Sequence, residues 1–102
     1  MSQFDVHKDR KGNLYPLLLD VQADLLSHLA TRTVVPLPPK RRYPATPLRR
    51  LNPVIVFRGV EYVAVVQELA AISADELGEI RGSLAPYRSE LIAALGLLFT
   101  GS

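Results

Sequence analysis

The sequence predicts an α+β protein that is mainly β, with antiparallel strands first and one C-terminal helix last. Two observations carry this. Short period-two or β-branched runs fill the first two thirds of the chain, and a leucine-rich stretch at helical spacing closes it. Nowhere do strands and helices alternate, which argues against a parallel sheet.

The elements follow in order. Phe4 and Val6 alternate with Gln3, Asp5 and His7, a half-buried strand that leaves Gln3 and His7 exposed. Lys8 to Asn13 is charged and ends in Gly-Asn, the signature of a hairpin loop. Leu14 to Gln22 resumes as an apolar run interrupted at Pro16, so its start is an edge or a bulge. Thr33 to Leu37 is β-branched and stops at Pro38-Pro39. Five prolines make residues 38–53 an extended, exposed loop. Val54–Phe57 and Tyr62–Gln67 flank Arg58-Gly59, a second hairpin. Ser73 and Glu76 have capping-box spacing, and Gly78 would end the short helix they start. The principal helix begins at Ser83–Pro86, where proline is tolerated in a first turn, and reaches Phe99. Its stripe of Leu84, Leu91, Leu95 and Leu98 is widened by Ile92 and Phe99, while Ala93, Ala94, Gly96 and Leu97 leave no polar face. A helix apolar all round is covered on both sides, and in a chain of this size the second cover is another subunit.

Composition narrows the function. With 102 residues, 48% of them hydrophobic, the chain is one domain (1–102) able to bury a core unaided. The absence of cysteine excludes disulfides, thiolate zinc sites and cysteine nucleophiles. No apolar run reaches the roughly 18 residues of a membrane span, and the charged N-terminus fits no signal peptide. A cytoplasmic location is expected. His7 and His28 have no spacing to a nucleophile or to ligating carboxylates, and nucleotide-binding and hydrolase motifs are missing. No metal or cofactor is expected.

Charge is uneven. Residues 1–58 carry a net +6 and residues 59–102 a net −4. The basic excess lies in Lys8, Arg10 and Lys11 and in Lys40, Arg41, Arg42, Arg49 and Arg50. Clusters of this kind suit an acidic partner. Only Tyr43 lies among these arginines, so base stacking is poorly supported and direct nucleic-acid binding is not expected.

One set of motifs goes further. Ser2-Gln3-Phe4, the run Leu19-Asp20-Val21-Gln22-Ala23-Asp24-Leu25-Leu26, Val34-Val35-Pro36-Leu37 and Asn52-Pro53-Val54 appear in order. Tyr87 to Leu95 and Phe99-Thr100-Gly101 close the chain. Together they resemble the CcdB family, toxins of bacterial toxin–antitoxin modules that poison DNA gyrase. The resemblance implies a small SH3-like barrel with a side hairpin and a C-terminal helix, assembled as a homodimer through Ala93, Ala94, Leu97 and Gly101. It implies no catalytic residues. It implies contact with the gyrase A subunit through Gln3, Phe4 and His7 near the N-terminus and through Ala23, Leu25 and Leu26. At the helix end, Gly96, Thr100, Gly101 and Ser102 complete that set. An acidic, disordered antitoxin tail would lie on Lys8, Arg10, Lys11, Lys40, Arg41 and Arg42. Two positions depart from the family pattern: Gly96 replaces Asp or Asn, and Ser102 replaces a terminal isoleucine. The alternatives are a MazF-type endoribonuclease on the same fold, using Arg32 or Arg10 with Thr33, and an inactive relative that only binds antitoxin.

Overall fold

A computed structural model describes residues 1–11 and 16–102. The expected Gly12-Asn13 loop and the start of the Leu14 run therefore lie outside the described residues. Five strands form one antiparallel sheet: β1 (Asp5–Asp9), β2 (Leu17–Asp20), β3 (Thr31–Pro36), β6 (Ala70–Ser73) and β7 (Leu77–Ser83), in the order β6-β3-β2-β1-β7. Strands β4 (Val54–Phe57) and β5 (Val60–Val63) make a separate hairpin, and α1 (Arg88–Thr100) ends the fold.

The main sheet curls, and chain length shows why. Its two edge strands, β6 and β7, are joined only by the 3₁₀ turn Ala74–Glu76. Four Cα steps span at most about 14 Å, whereas the edges of a flat five-stranded sheet lie about 19 Å apart. The edges are thus drawn toward each other by the chain, but no ladder joins them among the described residues. The expected closed barrel is not formed; a curled sheet is.

The curl buries both faces of β1. Val6 joins the main core with Phe4, Leu19, Val35, Leu37, Ile55 and Leu84, into which Leu91 and Ala94 of α1 pack. The other face holds a smaller cluster of Leu18, Val34 and Leu77, with Ile72 beside it. His7, opposite Leu18 in the register, lies on that second face and is 1% exposed. Its expected exposure is therefore corrected: alternation in β1 separates two buried faces rather than one buried and one wet.

Other boundaries move for local reasons. The Ser73–Glu76 signal gives only a 3₁₀ turn, with Ser73 Oγ accepting from the Asp75 amide at 3.4 Å. Gly78 does not end a helix; it sits in β7, where a Cβ would come within 2.6 Å of the Lys8 carbonyl oxygen. The residues from Ala85 to Tyr87, including Pro86, form a 3₁₀ turn, so α1 starts at Arg88. Gly101, at φ 78°, closes α1 in the left-handed region, its N–H donating to the Leu97 carbonyl. The 38–53 loop is partly ordered into the hairpin lobe. Pro38 accepts from the Val63 amide, and buried Asn52 donates to the Ala64 carbonyl and to Gln67 Oε1.

Candidate protein-docking surface

The residues between β2 and β3 form a ledge of leucines. Leu25 is 87% exposed, and Leu26 and Leu29 are also exposed. A polar lattice behind them holds this ledge. Asp20 Oδ1 accepts from the Gln22 amide (3.0 Å), and Gln22 Nε2 donates to the Leu26 carbonyl (2.9 Å) while its Oε1 accepts from the Thr33 amide (3.0 Å). Asp24 Oδ1 accepts from the Gln3 amide at 2.7 Å, and Gln3 Nε2 donates to the Val21 carbonyl at 3.1 Å. Arg88 at the start of α1 donates to Gln3 Oε1 (3.0 Å). Asp20 itself is buried and paired with Arg32, whose Nε donates to Asp20 Oδ2 at 2.9 Å. A ledge tied down at this many points is preorganised, which lowers the ordering cost of binding.

The far end of α1 meets the ledge. A groove of about 380 Å³ runs between Ala23, Leu26 and Leu29 on one side and Leu95 and Phe99 on the other, floored by Thr31, Thr33 and Leu69. Phe99 is 70% exposed. Beyond it, Thr100 Oγ1 donates to the Gly96 carbonyl at 2.7 Å, and the Ser102 carbonyl oxygen lies 3.4 Å from where a Cβ on Gly96 would stand. That is ordinary van der Waals contact, so the last residue lies against the helix at Gly96 without requiring glycine there.

The expected site residues thus separate into two groups. Ala23, Leu25, Leu26, Thr100, Gly101 and Ser102 are exposed, with Gln3 and Gly96 half-buried. Phe4 and His7 are buried and support the surface instead of presenting it. Phe4 holds a φ of 70°, stacked under the Arg88 guanidinium at 5.9 Å, with its N–H donating to the Asp20 carbonyl at 2.6 Å. Among the expected dimer residues, Ala93, Leu97 and Gly101 reach the surface, but Ala94 is fully buried in the main core and cannot face a partner. Sequence reasoning missed Leu29, Leu69 and Phe99. The signal for Phe99 was its place in the last turn, beyond the reach of the core.

The two basic clusters are anchored separately, Lys8 to Lys11 beside Glu76 and Lys40 to Arg42 beside Glu61. Lys8 pairs with Leu17, whose carbonyl accepts from the Leu37 amide, two residues before Pro39. Lys8, Arg10, Arg41 and Arg42 are exposed; Lys11 pairs with Glu76 at 2.7 Å, and Lys40 with Glu61 at 4.0 Å. The Glu76 hydrogen bond, then its charge, raises the Lys11 ammonium above its ordinary value.

The catalytic alternative loses one of its residues here. Arg32 is 1% exposed and committed to Asp20, and Thr33 points to the other face of β3. No group of three His, Asp or Glu among the described residues could hold a metal ion. No helix among them is long and apolar enough to cross a membrane.

The described residues thus form a mainly antiparallel β fold with an apolar ledge fixed between β2 and β3 and two exposed basic clusters. The chain belongs to the CcdB family, whose model, described as CcdB protein, matches residues 3–101. It is therefore the toxin of a toxin–antitoxin pair. Solved structures share the fold at low identity. A mycobacterial endoribonuclease in complex with its cognate antitoxin aligns with a TM-score of 0.75 and 18% identity, over 96% of this chain and 93% of the other. The toxin MazF-mt6 of Mycobacterium tuberculosis aligns at 0.74 and 19%, over 93% and 95%. A further mycobacterial endoribonuclease aligns at 0.67 and 21%, over 96% and 89%.

Proposed function

We propose that this toxin is a cytoplasmic gyrase poison. Its leucine ledge and the end of α1 seat against the gyrase A subunit and hold the enzyme on cleaved DNA. The observation that carries this is the exposed Leu25–Leu26–Phe99 surface, braced from behind by Gln22, Asp24 and Gln3. An exposed apolar ledge whose backbone is already held by hydrogen bonds gains apolar burial on docking at little ordering cost. The toxin acts as a homodimer on the SH3-like plan of its family. A cognate antitoxin neutralises it, its acidic tail lying along Lys8, Arg10, Lys40, Arg41 and Arg42; the fold's occurrence in an antitoxin-bound relative supports that partner.

The test is a cleavage assay with gyrase, ATP and supercoiled plasmid. Linear DNA accumulates with the native protein. Leu25→Asp leaves folding stability within about 0.5 kcal/mol, because the side chain is exposed, and abolishes the linear product. A folded native protein that yields none overturns the reading. The endoribonuclease alternative is favoured by the shared fold alone. With Arg32 sequestered, it leaves Arg10 to stabilise the transition state. RNA cleavage by the purified protein, lost in Arg10→Ala, would establish it. A protein inert in both assays but bound by antitoxin is the inactive relative.

A further inference from the structure

Charge is distributed between the two lobes of the molecule more sharply than along the chain. Residues 38–63, the hairpin lobe, carry six Lys/Arg and a single acid, Glu61, while the rest of the protein is net −3. Glu61 reaches only Lys40, and at 4.0 Å. Arg41, Arg42, Arg49 and Arg50 are exposed, and none has a carboxylate within 4 Å among the described residues. Arg58, at the hairpin tip, lies 5.4 Å from the centre of the Phe57 ring and donates to the Arg81 carbonyl, which leaves its charge uncompensated. Neither the docking ledge nor the proposed antitoxin site uses Arg49, Arg50 or Arg58.

These arginines stand on fixed backbone. The Leu48 amide donates to Asn52 Oδ1 and the Asn52 amide to the Leu48 carbonyl, closing the turn that carries Arg49 and Arg50. Arg50 occupies a φ of 69° and Arg58 one of 52°, where glycine or asparagine would be less strained. A cleft of about 520 Å³ lies between the 3₁₀ turn Lys40–Arg42 and the hairpin tip, lined by Lys40, Arg41, Gly59, Val60 and Glu61.

We propose that the hairpin lobe binds the phosphate backbone of duplex DNA, without reading sequence. Arginine is the residue that matches phosphate with two parallel hydrogen bonds. Charge density favours DNA over an acidic peptide. Duplex DNA offers one charge per ~1.7 Å of axis; an extended peptide advances ~3.3–3.6 Å per residue, so even an all-acidic one offers about half as much. A single strand is disfavoured because its recognition needs free aromatic faces. Tyr43 is half-buried, and Phe57 and Tyr62 are occupied edge-to-face with each other, centroids 6.4 Å apart. The expectation of no nucleic-acid contact rested on the missing stacking residues, which a backbone contact does not require.

The experiment uses the full chain, without gyrase, and so stands apart from the poisoning activity. A fluorescent 20-base-pair duplex is titrated by anisotropy between 50 and 200 mM NaCl. The expected log–log salt slope is about −3 to −4, a weakening of roughly a hundredfold over that range. Arg49→Gln with Arg50→Asn flattens the slope by about 2 and weakens binding at least tenfold at 50 mM, and Arg49→Lys with Arg50→Lys recovers most of it. Asparagine tolerates the positive φ at position 50, and Arg49→Glu repeats the test where no such constraint exists. A polyglutamate peptide of equal length binds at least tenfold more weakly than the duplex. Absence of duplex binding at 50 mM salt overturns the proposal. So does a salt slope indifferent to these substitutions. Polyglutamate binding as tight as the duplex also overturns it, and assigns the lobe to an acidic peptide.

Discussion

Arg32 and Asp20 are costly side chains to keep, since both are charged and essentially sealed from water. Such pairs add little net stability over apolar substitutes, but removing one partner strands the other. Arg32→Met should therefore destabilise the fold by about 3–5 kcal/mol in denaturant unfolding. Asp20→Asn with Arg32→Met should lose clearly less than the sum of the two single changes. Equal losses in the double and the sum would mean that the pair is not coupled. The pair also matters at a distance. Asp20 accepts from Gln22, and Gln22 holds Leu26, so a stranded Asp20 loosens the ledge that the gyrase reading depends on. Periodicity alone could not foresee this. Asp20 falls in an apolar run and Arg32 precedes the predicted Thr33–Leu37 strand, and only the curl of the sheet puts both out of reach of water.

Among the elements, β4 was legible to the residue because Val-Ile-Val-Phe between Pro53 and Arg58-Gly59 satisfies both strand propensity and turn chemistry. Strands β6 and β7 were not. Ala70-Ala71 and the Gly78, Glu79, Gly82 set have weak strand preference, and pairing with β3 and β1 supplies what propensity lacks. The site divides in the same way: Leu25 and Leu26 were visible through motif resemblance, while the groove they share with Phe99 depends on where α1 ends. Gly82 marks how tightly the hairpin sits on the sheet, since a Cβ there would lie 2.7 Å from the Phe57 ring. Gly82→Ala should push the β4–β5 hairpin outward at a cost of about 1–3 kcal/mol. Hydrogen exchange should accelerate across Val54–Val63 while β2 and β3 remain protected. Uniform acceleration throughout the protein would show that the hairpin and sheet open as one unit.

At the scale of the whole molecule, α1 leaves Ala93 exposed and Leu97 half-buried on a flank of the helix distinct from the one that carries Ile92 and Phe99. The second copy expected to cover this side must meet Ala93, Leu97 and Gly101 without Ala94. Leu97→Glu should turn the dimer into a monomer by analytical ultracentrifugation, with the circular dichroism spectrum retained. A dimer that survives the charge has its interface elsewhere.

The route of the chain through β6 and β7 has a mechanical consequence. One nearly continuous run, Ala70 to Ser83, borders β3 with its first half and β1 with its second. It works as a clasp: three residues, Ala74–Glu76, span the gap that hydrogen bonds leave open. Load applied between the two halves of the sheet would converge on that short bridge. The sheet would then open first at that seam, while the β3-β2-β1 ladders keep its centre joined.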